Sequence, residues 1–348
     1  MRPPAAIALE ARHAASQNAQ KLVDSSASDK DLAGFRRALL RWYDQHRRDL
    51  PWRKTRDPYR IWLSEIMLQQ TRVAAVLEHY RLFLKRFPDI RTLASASESS
   101  VLAAWSGLGY YRRARMLHQC AQKIVEEHRG RFPPSREALL ALPGIGPYTA
   151  AAIASIAFAE PAAVVDGNVE RVLERIAGGN LTSEQTWQRA QALLSRTRPG
   201  DFNQAMMELG ATVCLPRGPS CLVCPVRKWC VTQGELPRPN APSSQTKKEI
   251  WCALERRDGH VRLVQRPAKA SLMPGMWELP QWSETPRQMP ASALWRTFRH
   301  SITVTDFTVH VLRDAACTAK GKWIAADRIP EMPITGLTRK ILKAGGVI

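Results

Sequence analysis

The chain has 348 residues, long enough for two domains with their own cores, and it contains no run of 18 apolar residues, so no segment reads as a membrane-spanning helix. A formal net charge of +20, of which residues 247–348 carry +8, makes both halves basic. With a pI of about 10.2, this is the electrostatic footprint of a protein that touches many phosphates, with a merely soluble basic surface as the plainer alternative.

In chain order, residues 1–30 are rich in Ala, Ser and Gln, carry Pro3 and Pro4, and read as a flexible tail without a secretory signal. Arg2 and Arg12 leave an organellar address open, whereas Glu10 and Asp24 count against one. From Asp31 to Val231 the pattern is helical almost throughout. Phe35, Leu39, Leu40 and Tyr43 recur at helical spacing, in a helix expected to end at Pro51 of the DLPW segment. Residues Ile61 to Tyr80 read as a second long helix with an apolar face. Pro88, Gly107 with Gly109, the Gly130–Pro134 run and Gly178–Gly179 punctuate the remaining helical stretch. The expected architecture is an all-α domain over 31–231, closed by a cysteine-clasped loop at 214–230.

Glu65 is the anomaly of the second helix, an acid among Ile61, Trp62, Leu63, Ile66, Met67 and Leu68. Burying an ionised carboxylate is costly, so such a group raises its pKa and keeps its proton, as a general acid requires. The competing reading is a solvated Glu with Arg72 as its partner. Residues 142–168 read LPGIGPYTAAAIASIAFAEPAAVVDGN. Gly144 and Gly146 permit a tight turn that opens into a helix near Tyr148, whose free N–H groups suit a phosphate. Asp166 returns a carboxylate towards the same turn. An ordinary helical hairpin with an acidic cap is the alternative.

Cys120, Cys252 and Cys317 are scattered and read as small buried hydrophobes. Cys214, Cys221, Cys224 and Cys230 are spaced C-x6-C-x2-C-x5-C, in a loop made irregular by Pro216, Gly218, Pro219 and Pro225. Disulfides are not expected without a secretion signal. Four thiolates at one point bind zinc or an iron–sulfur cluster, and the single C-x2-C with unequal outer gaps favours a [4Fe–4S] cluster. Residues 232–248, with LPRPNAPSSQT, read as a linker. Over 249–348, WCALERR and HVRLVQR flank an Asp258–Gly259 turn as a β-hairpin, SITVTDFTVHVL (301–312) reads as one β run, and a helix closes the chain around Thr338–Leu342.

In order, WLSEIMLQQT, GLGYYRRAR, LPGIGPYTA, VVDGNVERVL, FNQAMMELG and the cysteine quartet resemble the helix-hairpin-helix DNA glycosylases with an iron–sulfur cluster, in particular the adenine DNA glycosylases of the MutY type. The resemblance covers residues 31–231 nearly continuously. More weakly, through LMPGMWELPQW, it extends to an α+β Nudix-like domain over 249–348 that lacks the Glu-rich pyrophosphatase helix and so implies recognition rather than hydrolysis. What it implies is hydrolysis of the glycosidic bond of adenine opposite 8-oxoguanine or guanine in double-stranded DNA, by a monomer acting wherever the DNA is: the nucleoid, a nucleus or a mitochondrion.

The resemblance also assigns residues. Glu65 protonates the extruded adenine and helps manage the water, and Asp166 stabilises the sugar cation or traps it covalently, a two-carboxylate logic, while Tyr148 and Asn168 orient them. Bifunctional relatives carry a Schiff-base Lys where Tyr148 stands, so strand scission is not expected. Arg53 and Glu208 match residues that contact the flipped base, although Arg53 pairing with Asp49 or Asp57 is the simpler alternative. Gln70 and Tyr110 match wedge residues that probe the opposite base. Lesion reading relies in the family on a Phe-Ser-His triplet; here Ile302, Thr303 and Val304 stand there, and only Thr303 keeps a hydroxyl. An endonuclease III-like glycosylase/lyase for oxidised pyrimidines and a non-catalytic DNA-structure binder are the alternative readings.

Overall fold

The computed structural model describes residues 29–237, 246–282, 293–302, 304–313, 315, 317 and 319–348. Residues 1–28 of the expected tail, residues 238–245 of the expected linker and Thr303 lie outside them. Backbone contacts divide the chain into two units, one from Met1–Gln69 and Glu127–Pro239, the other from Gln70–Glu126 and Asn240–Ile348. This partition differs from the expected 31–231 and 249–348, because residues 70–126 group with the C-terminal strands.

In the first unit, α1 (Asp29–His46) is followed by a 3-10 turn (Pro51–Arg53) and α2 (Pro58–Leu68). Helix α1 therefore stops short of DLPW, and Pro51 starts the next turn rather than ending the helix; Pro φ is preset for a first helical position. Asp57 caps α2 by accepting from the Tyr59 amide, and Pro58 fills the first helical position. Phe35, Leu39 and Tyr43 of α1 are fully buried in one core with Val172, Leu173, Phe202, Leu209 and Trp229.

The chain then runs through α3 (Val73–Arg86), α4 (Ile90–Ser95), α5 (Glu98–Trp105) and α6 (Arg112–His128), nearly all of which belongs to the second unit. The first unit resumes with α7 (Arg136–Leu140), α8 (Pro147–Ala157), α9 (Gly167–Ala177), α10 (Ser183–Leu193) and α11 (Pro199–Thr212). Helix α8 is nearly all small: Ala150, Ala151, Ala152 and Ala154 have no exposed surface. Such a helix lets neighbours approach closely, and the glycines of α11 complete the fit. A Cβ on Gly200 would lie 2.7 Å from the Ser155 carbonyl oxygen and 2.8 Å from Ile156 Cα; one on Gly210 would lie 2.6 Å from Asn168 Cβ. Helix α11 is thereby seated against both α8 and α9.

In the second unit, α3 to α6 accompany two sheets. The expected single helix from Ile61 to Tyr80 is thus two. Helix α2 ends at Leu68, and Gln70 sits in the left-handed region at φ 55°, a conformation no helix continues through. Strands β1 (Thr246–Leu254), β5 (Gln281–Trp282), β6 (Leu294–Ile302) and β7 (Thr305–Arg313) form one sheet in the order β5-β1-β7-β6, with β1 and β7 parallel. Strands β2 (Arg256–Arg257), β3 (His260–Gln265), β4 (Trp277–Glu278) and β8 (Lys322–Ala325) form the other.

The Asp258–Gly259 turn is present, with both residues at positive φ as a tight hairpin needs, but it joins β2 to β3 while β1 belongs to the other sheet. The run 301–312 is not one strand. It folds back between Ile302 and Thr305, which pair as the last rung of the β6–β7 hairpin, and Val304 is exposed. Strand β1 starts at Thr246, inside the stretch expected as linker. Helix α12 (Gly336–Ala344) closes the chain and buries Leu337, Ile341 and Leu342. Among the described residues no helix is long and apolar enough to cross a membrane.

Candidate active site

Residues from α2, α8, α9 and α11 build one polar cluster in the first unit. Glu65, on the buried face of α2, is 6 % exposed. The Tyr148 hydroxyl, one residue inside α8, donates to Glu65 Oε2 at 2.5 Å. Burial drives the Glu65 carboxyl up; the Tyr148 hydrogen bond opposes, the nearby Asp166 carboxylate adds to the rise and Arg53 opposes, and the balance lies at about 7. Burial also raises the Tyr148 phenol well above its ordinary value, aided by Glu65 and Asp166, so Tyr148 remains a donor. The Arg72 alternative does not occur: Glu65 is partnered by Tyr148.

Asp166 is the N-cap of α9. Its Oδ1 accepts from the amides of Asn168 (3.0 Å) and Val169 (2.8 Å), and its Oδ2 from Asn168 Nδ2 at 2.8 Å. These bonds fix the carboxylate at a helix N-terminus, where the dipole favours negative charge. Asn168 Oδ1 accepts in turn from Arg171, which also donates to the carbonyls of Gly210 and Cys214. The turn before α8 has Gly144 at φ 72° and Gly146 in the N-cap position with no side-chain cap, next to Pro147. A Cβ at Gly146 would meet nothing within 4 Å, so the turn has open space beside it.

Arg53 pairs with neither Asp49 nor Asp57. Its Nη2 donates to Glu208 Oε2 at 2.8 Å, so the two candidate base contacts bond each other. Arg48 adds three bonds to the same carboxylate, from its amide (2.9 Å), Nε (2.8 Å) and Nη2 (2.6 Å). Glu208 is fully buried, which raises its carboxyl, but the Arg48 and Arg53 bonds prevail and hold it at about 2. One acid is thus kept near neutrality of charge and the other firmly ionised. Arg48 escaped the sequence reading, although its place five residues before Arg53 was a signal. Met207 escaped too: its sulfur lies 3.4 Å from the Tyr148 hydroxyl, and a Met inside a helical run reads as core.

In the second unit, Gln70 and Tyr110 both adopt positive φ, 55° and 48°, and Tyr110 is 49 % exposed. Left-handed non-glycine residues cost about 1–2 kcal/mol and cluster at functional sites. Arg113 serves both: its Nη2 donates to Thr71 Oγ1 at 3.1 Å, and its guanidinium lies 5.4 Å from the Tyr110 ring centroid.

All four loop cysteines line one small pocket with Arg175, Val213, Pro219, Arg227, Gln233 and Gly234. Arg175 Nη1 donates to Cys214 Sγ at 3.2 Å. Among the described residues no three of His, Cys, Asp and Glu converge tightly enough to hold a single metal ion. Cys120, Cys252 and Cys317 are buried, as expected.

Residues 63–197 match the family described as HhH-GPD superfamily base excision DNA repair protein. The chain is similar to the adenine DNA glycosylases of Rattus norvegicus (46 % identical over 70 % of this chain and 53 % of that one) and Arabidopsis thaliana (37 %, over 85 % and 54 %). It spans about half the length of these curated relatives. Among solved structures, a thermostable thymine-DNA glycosylase is 34 % identical with a TM-score of 0.56, over 60 % of this chain and 98 % of that one. An endonuclease III–DNA complex shares the fold at 20 % identity and a TM-score of 0.52. A helical hairpin with a buried acid against its first turn, in a chain with these matches, leads to one conclusion: the protein belongs to the HhH-GPD superfamily of base excision DNA repair proteins.

Proposed function

We propose that the protein is a monofunctional adenine DNA glycosylase, which hydrolyses the N-glycosidic bond of adenine opposite 8-oxoguanine or guanine in duplex DNA. The observation that carries this reading is the Tyr148–Glu65 hydrogen bond in a buried pocket coupled to Asp166. Glu65, with its carboxyl near 7, holds a proton available to the extruded base. Protonated adenine departs as its bond to the sugar breaks, and Asp166, aimed by Asn168 and two amides, faces the positive charge left on the sugar. Water then adds to the sugar carbon and gives up a proton, leaving an intact backbone with an abasic site. Tyr148 offers no amine for a Schiff base, so no β-elimination follows. The ionised Glu208, with Arg48 and Arg53, presents the polar edge against which the base is read.

The Cys214, Cys221, Cys224 and Cys230 thiols would hold a [4Fe–4S] cluster, whose chemistry here is to fasten the loop. An all-sulfur donor set around one cavity, reinforced by Arg175, fits that group. Tyr110 and Gln70 fill the gap the base leaves, and the protein works as a monomer wherever the DNA lies, in a nucleoid or an organelle. Lesion reading falls to Ile302, Thr303 and Val304, which stand where the family has Phe-Ser-His.

The test is incubation with duplexes bearing A opposite 8-oxoguanine, T opposite G, or thymine glycol, with and without alkali. Adenine release, with a strand break only after alkali, is the expected result. Prompt nicking, a borohydride-trapped adduct, or release of a pyrimidine instead would overturn the proposal.

A further inference from the structure

The loop that bears Tyr110 is fastened by side chains for which the proposed chemistry has no use. Within the second unit, Ser106 Oγ donates to the Ile334 carbonyl at 2.7 Å, and the Tyr111 hydroxyl donates to the same oxygen at 3.2 Å. Arg339, on α12, donates from Nε to Ser106 Oγ at 2.9 Å. Ile334 is itself fully buried in the C-terminal core and bridges to Trp277, so the acceptor is rigid. Thr335 caps α12 by accepting from the Thr338 amide, which fixes the helix that presents Arg339.

The loop is built to accept this fastening. Gly107, at φ 110°, leaves room for His79 and Arg339: a Cβ there would lie 3.0 Å from His79 Nε2 and 3.7 Å from Arg339 Cδ. Trp105 Nε1 donates to the Gly109 carbonyl, and Arg113 bonds the Leu108 and Gly109 carbonyls. Between anchors on both sides, Tyr110 is the residue that projects, at φ 48° and half exposed. A left-handed tyrosine persists only where its surroundings over-determine it.

We infer that Arg339 is a positioning residue: through Ser106 and the Ile334 carbonyl it locks the 106–111 loop to the C-terminal core and so holds Tyr110 in its projecting conformation. By this route the C-terminal residues act on base excision without touching the reacting atoms. The wedge role of Tyr110 rests on the function proposed above; the latch itself rests on geometry.

Two measurements separate the latch from that function. Hydrogen exchange compares the wild type with Arg339→Ala and Ser106→Ala; both variants should lose amide protection over residues 106–112 while the β1 and β7 amides keep theirs. Single-turnover adenine excision opposite 8-oxoguanine should fall about tenfold in Arg339→Ala, the loss of one buried bonded donor. In a Tyr110→Ala background the same substitution should cost less than about twofold, since its effect passes through Tyr110. Arg339→Lys, which keeps a donor, should recover part of the rate. Unchanged protection in both variants would overturn the latch, and an undiminished effect in the Tyr110→Ala background would overturn the link to the wedge. A wild type that releases no adenine would refute the proposed function, and the exchange result would still decide the latch. Should Arg339→Ala lose its fold, Ser106→Ala, one hydroxyl removed, carries both measurements.

Discussion

Glu65 shows what burying an acid does to stability, and what the proposed chemistry would gain from it. Its carboxyl is raised to about 7 by burial, so the native state holds a proton that the unfolded chain releases at ordinary carboxylate pH. Between those two values the native state binds more protons than the unfolded one, and stability falls as pH rises, reaching its full loss above about 7. The penalty is on the order of 3 kcal/mol by the linkage of pKa to stability. Glu65→Gln carries no such penalty. It is expected to melt above the wild type at pH 8, with the gap closing towards pH 5, as read by thermal unfolding in a pH series. The same substitution removes the transferable proton and should lower excision by roughly 10²–10⁴-fold while DNA binding survives. Wild-type single-turnover rates should hold below pH 7 and fall above it; a rate that climbs through pH 8 would remove Glu65 as the acid.

At the scale of elements, close helix approach is what brings the two carboxylates and Tyr148 into one cluster, and the glycines of α11 are its weakest points. A methyl at Gly200 would meet backbone on α8, the Ser155 oxygen and Ile156 Cα, neither of which can swing away. Gly200→Ala gains about 1 kcal/mol of helix propensity. Overpacking costs about 1–3 kcal/mol, and here it should win. The expected outcome is a net loss in denaturant unfolding with an unchanged m-value, and a drop in excision as α11 is levered away from α8. A stabilised variant with full activity would show that the fit is looser than the geometry indicates.

The same scale explains what the amino-acid pattern revealed. Glu65, Tyr148, Asp166 and the cysteines were legible because an acid in an apolar run, a glycine-rich turn and clustered thiols each announce local chemistry. The break at Gln70 was not, since apolar spacing runs on through it and no Gly or Pro marks it; a left-handed Gln is imposed by tertiary contacts such as those of Arg113 with Thr71. The reversal between Ile302 and Thr305 is likewise hidden in a continuous β-branched run. Arg48 joins Glu208 across 160 positions, a closure that no local pattern contains.

Over the whole molecule, 51 Lys and Arg against 31 Asp and Glu leave a surplus of +20 that no internal ion pair can cancel, and a surplus of this size should express itself in salt dependence. The cysteine loop contributes Arg227 and Lys228, in the 3-10 turn that ends at Trp229 just before Cys230. Arg227 lines the sulfur cavity and bonds Gln233 Oε1, and Lys228 sits 4.0 Å above the Trp229 ring, so both cations are held in place rather than free to wander. Held cations on a fastened loop form a phosphate contact that reads no sequence. The variant Arg227→Ala with Lys228→Ala should therefore weaken binding to matched and lesion-bearing duplex equally, and lower the slope of log K against log salt by about two. Absorbance from the proposed iron–sulfur cluster is expected to stay. A slope unchanged from wild type, with the absorbance intact, would place the loop away from the DNA; a lost absorbance would mean that these cations hold the cluster loop itself. Equal weakening on both duplexes is the decisive arm, because a contact that served adenine or its opposite base would weaken one duplex more than the other.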